Sequence, residues 1–164
     1  MRRAGFPRLS WRRTIPFGVA TLVAASDQIT KEWVRTYQTG ETIYQVGLFR
    51  LVRVHNTGAS FGLFPDQSPA LSVVAVIGIC AVLFVLLFLQ CRYPFLTSTA
   101  SLAGFGLILG GTIGNLADRL RFGSVTDFLD IGVWPAFNVA DSAIVVGTIL
   151  VAYSLVRLAR AAGR

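Results

Sequence analysis

The sequence predicts an all-α membrane protein: four transmembrane helices with a small extracytoplasmic β-strand region between helices 1 and 2. Three observations carry this. Only 14% of the 164 residues are charged and mean hydropathy is +0.63, so long uncharged segments dominate the chain. Residues 67–91, 93–117 and 136–156 each have the length of a bilayer span, and Asp141 is the only charged residue within them. The one sizeable polar stretch, residues 35–66, is rich in β-branched and aromatic side chains. A single integral membrane domain covering residues 1–164 is the natural count. The formal charge of +7 does not point to nucleic acid, because the arginines flank apolar runs and form no basic stripe with interleaved aromatics.

Residues 1–13 form a basic tail with Arg2, Arg3, Arg8, Arg12 and Arg13. An uncharged run follows to Ser26. The Arg-rich start and small residues Ala24, Ala25 and Ser26 could mark a cleavable leader. The alternative is a first span running past Asp27 to about Val34, with Asp27 and Lys31 on one face at i, i+4. In the polar stretch, residues 42–46 and 48–54 read as two short strands punctuated by Gly40 and Gly47. Residues 55–65 read as a loop that dips into the membrane interface. Asn56 and Thr57 can bond local backbone there, Gly58 and Gly62 permit tight turns, and Phe61, Leu63 and Phe64 make an apolar tip. His55 reads as an ordinary strand-end residue.

Residues 67–91 form the second span, ended by Arg92 and Pro94. Cys80 and Cys91 are roughly 16 Å apart along such a helix, too far for a bridge, and read as apolar filler. The third span, 93–117, is crowded with glycine. Gly110, Gly114 and Asp118 share one face, and Gly111 and Asn115 share another, so neighbouring helices can approach closely and Asn115 and Asp118 point into the bundle. Residues 119–135 read as a short outer segment, and 136–156 as the fourth span with Asn138 and Asp141 on one face near its start.

Charge sets the expected topology. The N-terminal tail, the Arg92 loop and the C-terminal tail are basic and free of acids, whereas all eight acids fall on the other side. The positive-inside rule then places both termini in the cytoplasm and the acidic cluster at the outer face.

That cluster is where the chemistry is expected. Ionisable groups at the edge of a span are costly, and their default reading is a functional site. Two neighbouring carboxylates cannot both ionise cheaply. One keeps its proton, and the pair can activate water while protonating a leaving group. Asp127 and Asp141 can meet, Asn115 and Asn138 could orient them, and Arg119 could pair Asp118. Spacing alone leaves Asp118 as a third candidate. No Ser-His or Cys-His couple, zinc pattern or nucleotide-binding glycine motif is present, so no metal or other cofactor is expected.

Five ordered blocks extend this reading. They are Asp27-x-x-x-Lys31, Asn56-Thr57-Gly58-Ala59-Ser60-Phe61, Gly110-Gly111-x-x-Gly114-Asn115-x-x-Asp118-Arg119, Val125-x-Asp127-Phe128 and Phe137-Asn138-x-Ala140-Asp141-Ser142. Together they resemble the lipoprotein signal peptidases, the type II signal peptidases of bacteria, over nearly the whole chain. The resemblance implies a multi-pass aspartyl endopeptidase of the bacterial cytoplasmic membrane. It would remove the signal peptide from prolipoproteins, cutting before a cysteine that carries a diacylglyceryl group. It implies Asp127 and Asp141 as the catalytic pair, and Asn56, Gly58, Asn115, Asp118, Arg119, Asn138 and Ala140 as substrate-binding or supporting residues. Asp27 and Lys31 match a structural pair, and the strand region with the loop from Asn56 to Phe64 matches an outer cradle and lid. The expected partners are the lipidated precursor and membrane lipid, with the enzyme a monomer. The rival reading is a small transporter or proton relay using the same acids. Against it, the acids gather at one side and no inverted repeat is visible.

Overall fold

The computed structural model describes residues 11–58, 67–89 and 92–162. In chain order its elements are helix α1 (Ile15–Arg35), strands β1 (Thr42–Val46) and β2 (Phe49–Asn56), helix α2 (Ser68–Phe84), helix α3 (Thr99–Phe122), strand β3 (Val125–Asp130) and helix α4 (Val139–Ala162). A π-type turn, Val85–Leu89, continues α2, and a 3-10 turn, Pro94–Thr97, leads into α3. The interfacial loop tip at Phe61, Leu63 and Phe64, the lid beyond Gly58, and Cys91 lie outside the described residues.

Helix α1 begins with Pro16 in its first turn, where the missing N–H costs nothing, and runs unbroken through residues 24–26. Helix α3 is the axis of the bundle and packs on α1, α2 and α4. Its glycines set two of those contacts. A Cβ on Gly110 would come within 2.5 Å of the Ala20 carbonyl oxygen of α1. On the opposite face Gly104 meets Gly147 of α4 backbone to backbone, and a Cβ on Gly147 would lie 2.6 Å from the Gly104 carbonyl oxygen. The two glycine faces read from the sequence are therefore the two helix-packing faces. Away from the sheet, Ala20, Leu86, Leu96, Leu102, Phe105 and Leu109 form the apolar core.

Among the described residues three helical segments are long and apolar enough to cross a membrane: Ser68–Leu89, Thr99–Phe122 and Val139–Arg157. The first has mean hydropathy 3.1, and almost all of it faces outward, with Val73, Val74, Ile77, Leu87 and Phe88 exposed. In water such a surface would be an aggregation liability; in lipid it is solvated.

The sheet departs from expectation. It has three antiparallel strands in the order β1-β2-β3. The first two are the expected short strands and pair as a hairpin, turning at Gly47, whose φ of +57° suits a residue without Cβ. The third strand comes from the segment between α3 and α4, which reads only as a short outer segment in the sequence. Residues 125–129 carry the β-branched and aromatic side chains of a strand, but their partner lies some seventy residues earlier, with Asn56 opposite Val125 and Val54 opposite Asp127. Such pairing has no local signal. Helix α3 also outruns its uncharged segment. It continues to Phe122, where Gly123 at φ +70° closes it by donating its N–H to the Arg119 carbonyl at 3.0 Å.

Candidate active site

The polar groups divide between two faces of α3. The face toward α1 holds a charge network. Asp27 and Lys31 are completely buried and pair at 2.8 Å. The Lys31 ammonium also lies 3.5 Å from Asp118, which receives the Arg35 guanidinium at 2.7 Å and the Gln28 amide at 3.0 Å. The Thr126 N–H donates to the second Asp118 oxygen at 2.9 Å, tying β3 to the end of α3. Asp27 reaches α4 as well, accepting from the Ala140 N–H at 3.0 Å. Each buried charge here has a counter-charge and hydrogen bonds, the condition for tolerating burial. The sequence reading paired Asp118 with Arg119. The structure gives Asp118 to Lys31, Arg35 and Gln28 instead, because Arg119 lies on a different side of the helix. Gln28 and Arg35 were missed, although they share the face of Lys31 at i−3 and i+4.

The face toward α4 holds the other cluster. Asp127 on β3 and Asp141 in the first turn of α4 line a cavity of about 190 Å³ with Asn56, Gly58, Leu71, Asn115, Arg119, Val125 and Ala136. Asp127 accepts from the Asn138 amide at 2.6 Å and the Asn56 amide at 2.8 Å. Asp141 accepts from the Asn115 amide at 2.7 Å and the Asn138 backbone N–H at 3.2 Å. All four carboxyl oxygens thus face an amide donor. Among the described residues no cation comes within ion-pair distance of either carboxyl. Burial, reinforced by the nearby Asp141 charge, pushes the Asp127 carboxyl up to about 7. Two such groups can share one proton, leaving one as base and one as acid.

Asn138 was expected to share a helical face with Asp141. It stands one residue before the helix. Its Oδ1 accepts the Asp141 N–H at 2.9 Å while Asp141 returns a bond to the Asn138 N–H, a reciprocal cap of the helix start. The Asn138-x-x-Asp141 spacing carries that signal in the sequence. Arg119 lines the cavity, and among the described residues its guanidinium makes no hydrogen bond or ion pair. Its positive field reaches Asp141, Asp127 and Asp118. His55 lies near the end of β2, where burial and the Arg53 guanidinium hold its imidazole below the usual range. Next to Asp141 a second, apolar cavity of about 400 Å³ opens between Ile131, Trp134, Phe137 and α4. The residues the resemblance singled out therefore converge, with Asp27, Lys31 and Asp118 set behind the cavity rather than in it.

The family model described as signal peptidase (SPase) II matches residues 19–157. The chain belongs to the signal peptidase II family. The lipoprotein signal peptidase of Moorella thermoacetica is 43% identical over 148 residues, spanning 89% of this chain and 95% of that relative. The lipoprotein signal peptidase of Dehalococcoides mccartyi (strain ATCC BAA-2100) is 40% identical over 139 residues, 84% of this chain and 86% of its own length. Two solved structures described as bacterial membrane enzymes share the fold. One superposes with a TM-score of 0.78 at 24% identity, covering 87% of each chain. The other has a TM-score of 0.73 at 25% identity over 85% of this chain and 91% of its own. The transporter reading has no support among these relatives, which are peptidases by name.

Proposed function

We propose that this signal peptidase II family member is an aspartyl endopeptidase in which Asp127 and Asp141 hydrolyse the bond joining a signal peptide to a prolipoprotein. The observation that carries the reading is two carboxyls on one small cavity, each held by amide donors and, among the described residues, neither paired with a cation. One carboxylate takes a proton from a water, whose oxygen attacks the scissile carbonyl carbon. The protonated carboxyl donates to the carbonyl oxygen. Collapse of the tetrahedral intermediate breaks the C–N bond, the leaving nitrogen gains a proton, and an acid and an amine are released. Arg119, with its guanidinium free to pair, faces the developing negative charge on that oxygen or on the product carboxylate. Asn56, Asn115 and Asn138 hold the carboxyls in place and Gly58 keeps the cavity wall low, while Ala140 seats α4 against Gly111 and Asp27 behind it.

The substrate reading follows the family: a prolipoprotein cut before its diacylglyceryl cysteine, approached from within the bilayer. Helix α1 serves as the fourth span. It carries too many charges to qualify by composition, yet Asp27 and Lys31 face inward, while Leu22, Ile29 and Trp33 are exposed on its outer surface. Both termini then lie in the cytoplasm, and the sheet and cavity at the outer leaflet, in one membrane domain acting as a monomer. Cleavage of a lipidated precursor by Asp127→Asn and Asp141→Asn variants tests the mechanism. Both should insert and fold while losing cleavage, and wild-type rates in both would end this reading. A precursor with an unmodified cysteine should be cut poorly; equal cutting would remove the lipid-guided part.

A further inference from the structure

Three asparagine amides hold the two carboxyls, and each must point its NH₂ rather than its oxygen at an aspartate. Something has to choose. For Asn56 the choice is made by the Gly58 N–H, which donates to Oδ1 at 3.1 Å. For Asn138 it is made by the Asp141 N–H. A backbone N–H can only donate, so each amide oxygen is claimed and each NH₂ is turned to its carboxyl. Among the described residues the Asn115 oxygen has no such backbone partner. Its Oδ1 accepts from the buried Lys31 ammonium at 2.8 Å and, more weakly, from the Asn138 amide at 3.2 Å.

We infer that Lys31 is a positioning residue for hydrolysis: its ammonium claims the Asn115 oxygen and so fixes the Asn115 NH₂ on Asp141, keeping that oxygen an acceptor. An ammonium has donors only, and a charge-assisted bond outweighs the neutral one from Asn138. Without it, Asn115 is free to present its oxygen to Asp141, an arrangement tolerable only when Asp141 carries the proton. Lys31 therefore determines which carboxyl begins the cycle as the base. Its placement is fixed from two elements, by Asp27 on α1 and Asp118 on α3, with Arg35 satisfying the rest of Asp118. Arg119 on α3 is the other cation facing the pair, from the cavity side.

This rests on the reading of Asp127 and Asp141 as the hydrolytic pair, and its test separates the two. Lys31→Met alone strands the buried Asp27 charge, so the comparison is made between Asp27→Asn and Asp27→Asn/Lys31→Met in the full-length membrane enzyme. Adding Lys31→Met should lower kcat roughly 10- to 100-fold with KM within about twofold. It should also move the acid limb of the kcat–pH profile to higher pH, because a cation beside the pair is gone. In an Asn115→Ala background the same change should add less than about threefold, since the path through residue 115 is already cut. An unchanged kcat and pH profile, or an equal loss with and without Asn115, would overturn the inference. Asn115→Asp guards against a folding failure. It keeps a partner for Lys31 but turns an acceptor on Asp141, so it should fold and lose cleavage. Retained cleavage there would also overturn the inference, whereas the hydrolytic pair itself stands or falls on the aspartate variants.

Discussion

Two groups of acids lie on opposite faces of one helix and are treated in opposite ways. Asp27 and Asp118 are buried beside Lys31 and Arg35, charge against charge. Asp127 and Asp141 are also buried, yet their partners are amides. An ion pair fixes a carboxylate in its charged form; an amide fixes its direction and leaves its proton negotiable. On the proposed reading the first arrangement serves architecture and the second serves chemistry. The difference is visible without any ligand, as a difference in what each carboxyl touches.

The sharpest way to break this contrast is to neutralise one acid from each face. Asp141→Asn should lower the cleavage rate by roughly 10⁴-fold or more, with heat stability little changed. Asp118→Ala should do the reverse. Leaving Lys31 and Arg35 without their shared partner should cost about 3–5 kcal/mol of stability, while activity per folded molecule survives within about tenfold. Equal effects of both variants on both measurements would dissolve the distinction.

Smaller effects sharpen it. Arg119→Gln should reduce kcat by about 10²-fold and barely alter the melting temperature, because among the described residues the guanidinium makes no hydrogen bond or ion pair. Titration gives a further handle. The raised carboxyl of Asp127 means the pair loses its last proton near pH 7, so the cleavage rate should fall as pH rises through that value. The same shift has a thermodynamic sign. An unfolded carboxyl ionises near 4, so the folded form binds the extra proton between about pH 4 and 7, and stability should decline across that window as pH increases. Asp127→Asn should flatten that slope, measured by thermal unfolding in detergent at several pH values. Least of all, Gly110→Ala should cost about 1–3 kcal/mol by pushing α1 away, with both clusters feeling it alike.

Much of this was legible in the chain. The uncharged runs gave the helices, the glycine spacing on α3 gave its two packing faces, and the Asp and Asn blocks gave the residues of the cavity. What escaped shares one physical cause: the partner sits far away along the sequence. β3 needs β2 to be a strand. Asp118 finds Arg35 and Gln28 across a helix interface rather than the adjacent Arg119. The coupling of Lys31 to Asn115 spans two helices. Two local features were also missed: the continuation of α3 past its uncharged run to Gly123, and the role of Asn138, whose spacing to Asp141 suits both a shared helical face and a reciprocal cap.

That cap bears on how a stalled complex could be captured. Asp141 is at once one of the two proposed reactive groups and the clasp on the first turn of α4, since its carboxyl holds the Asn138 N–H. Asp127 is held by two side chains and clasps no backbone among the described residues. An inactive decoy meant to grip its precursor in native geometry is therefore better made at position 127. At position 141 a substitution without an oxygen acceptor would also loosen that clasp beneath the precursor it is meant to keep.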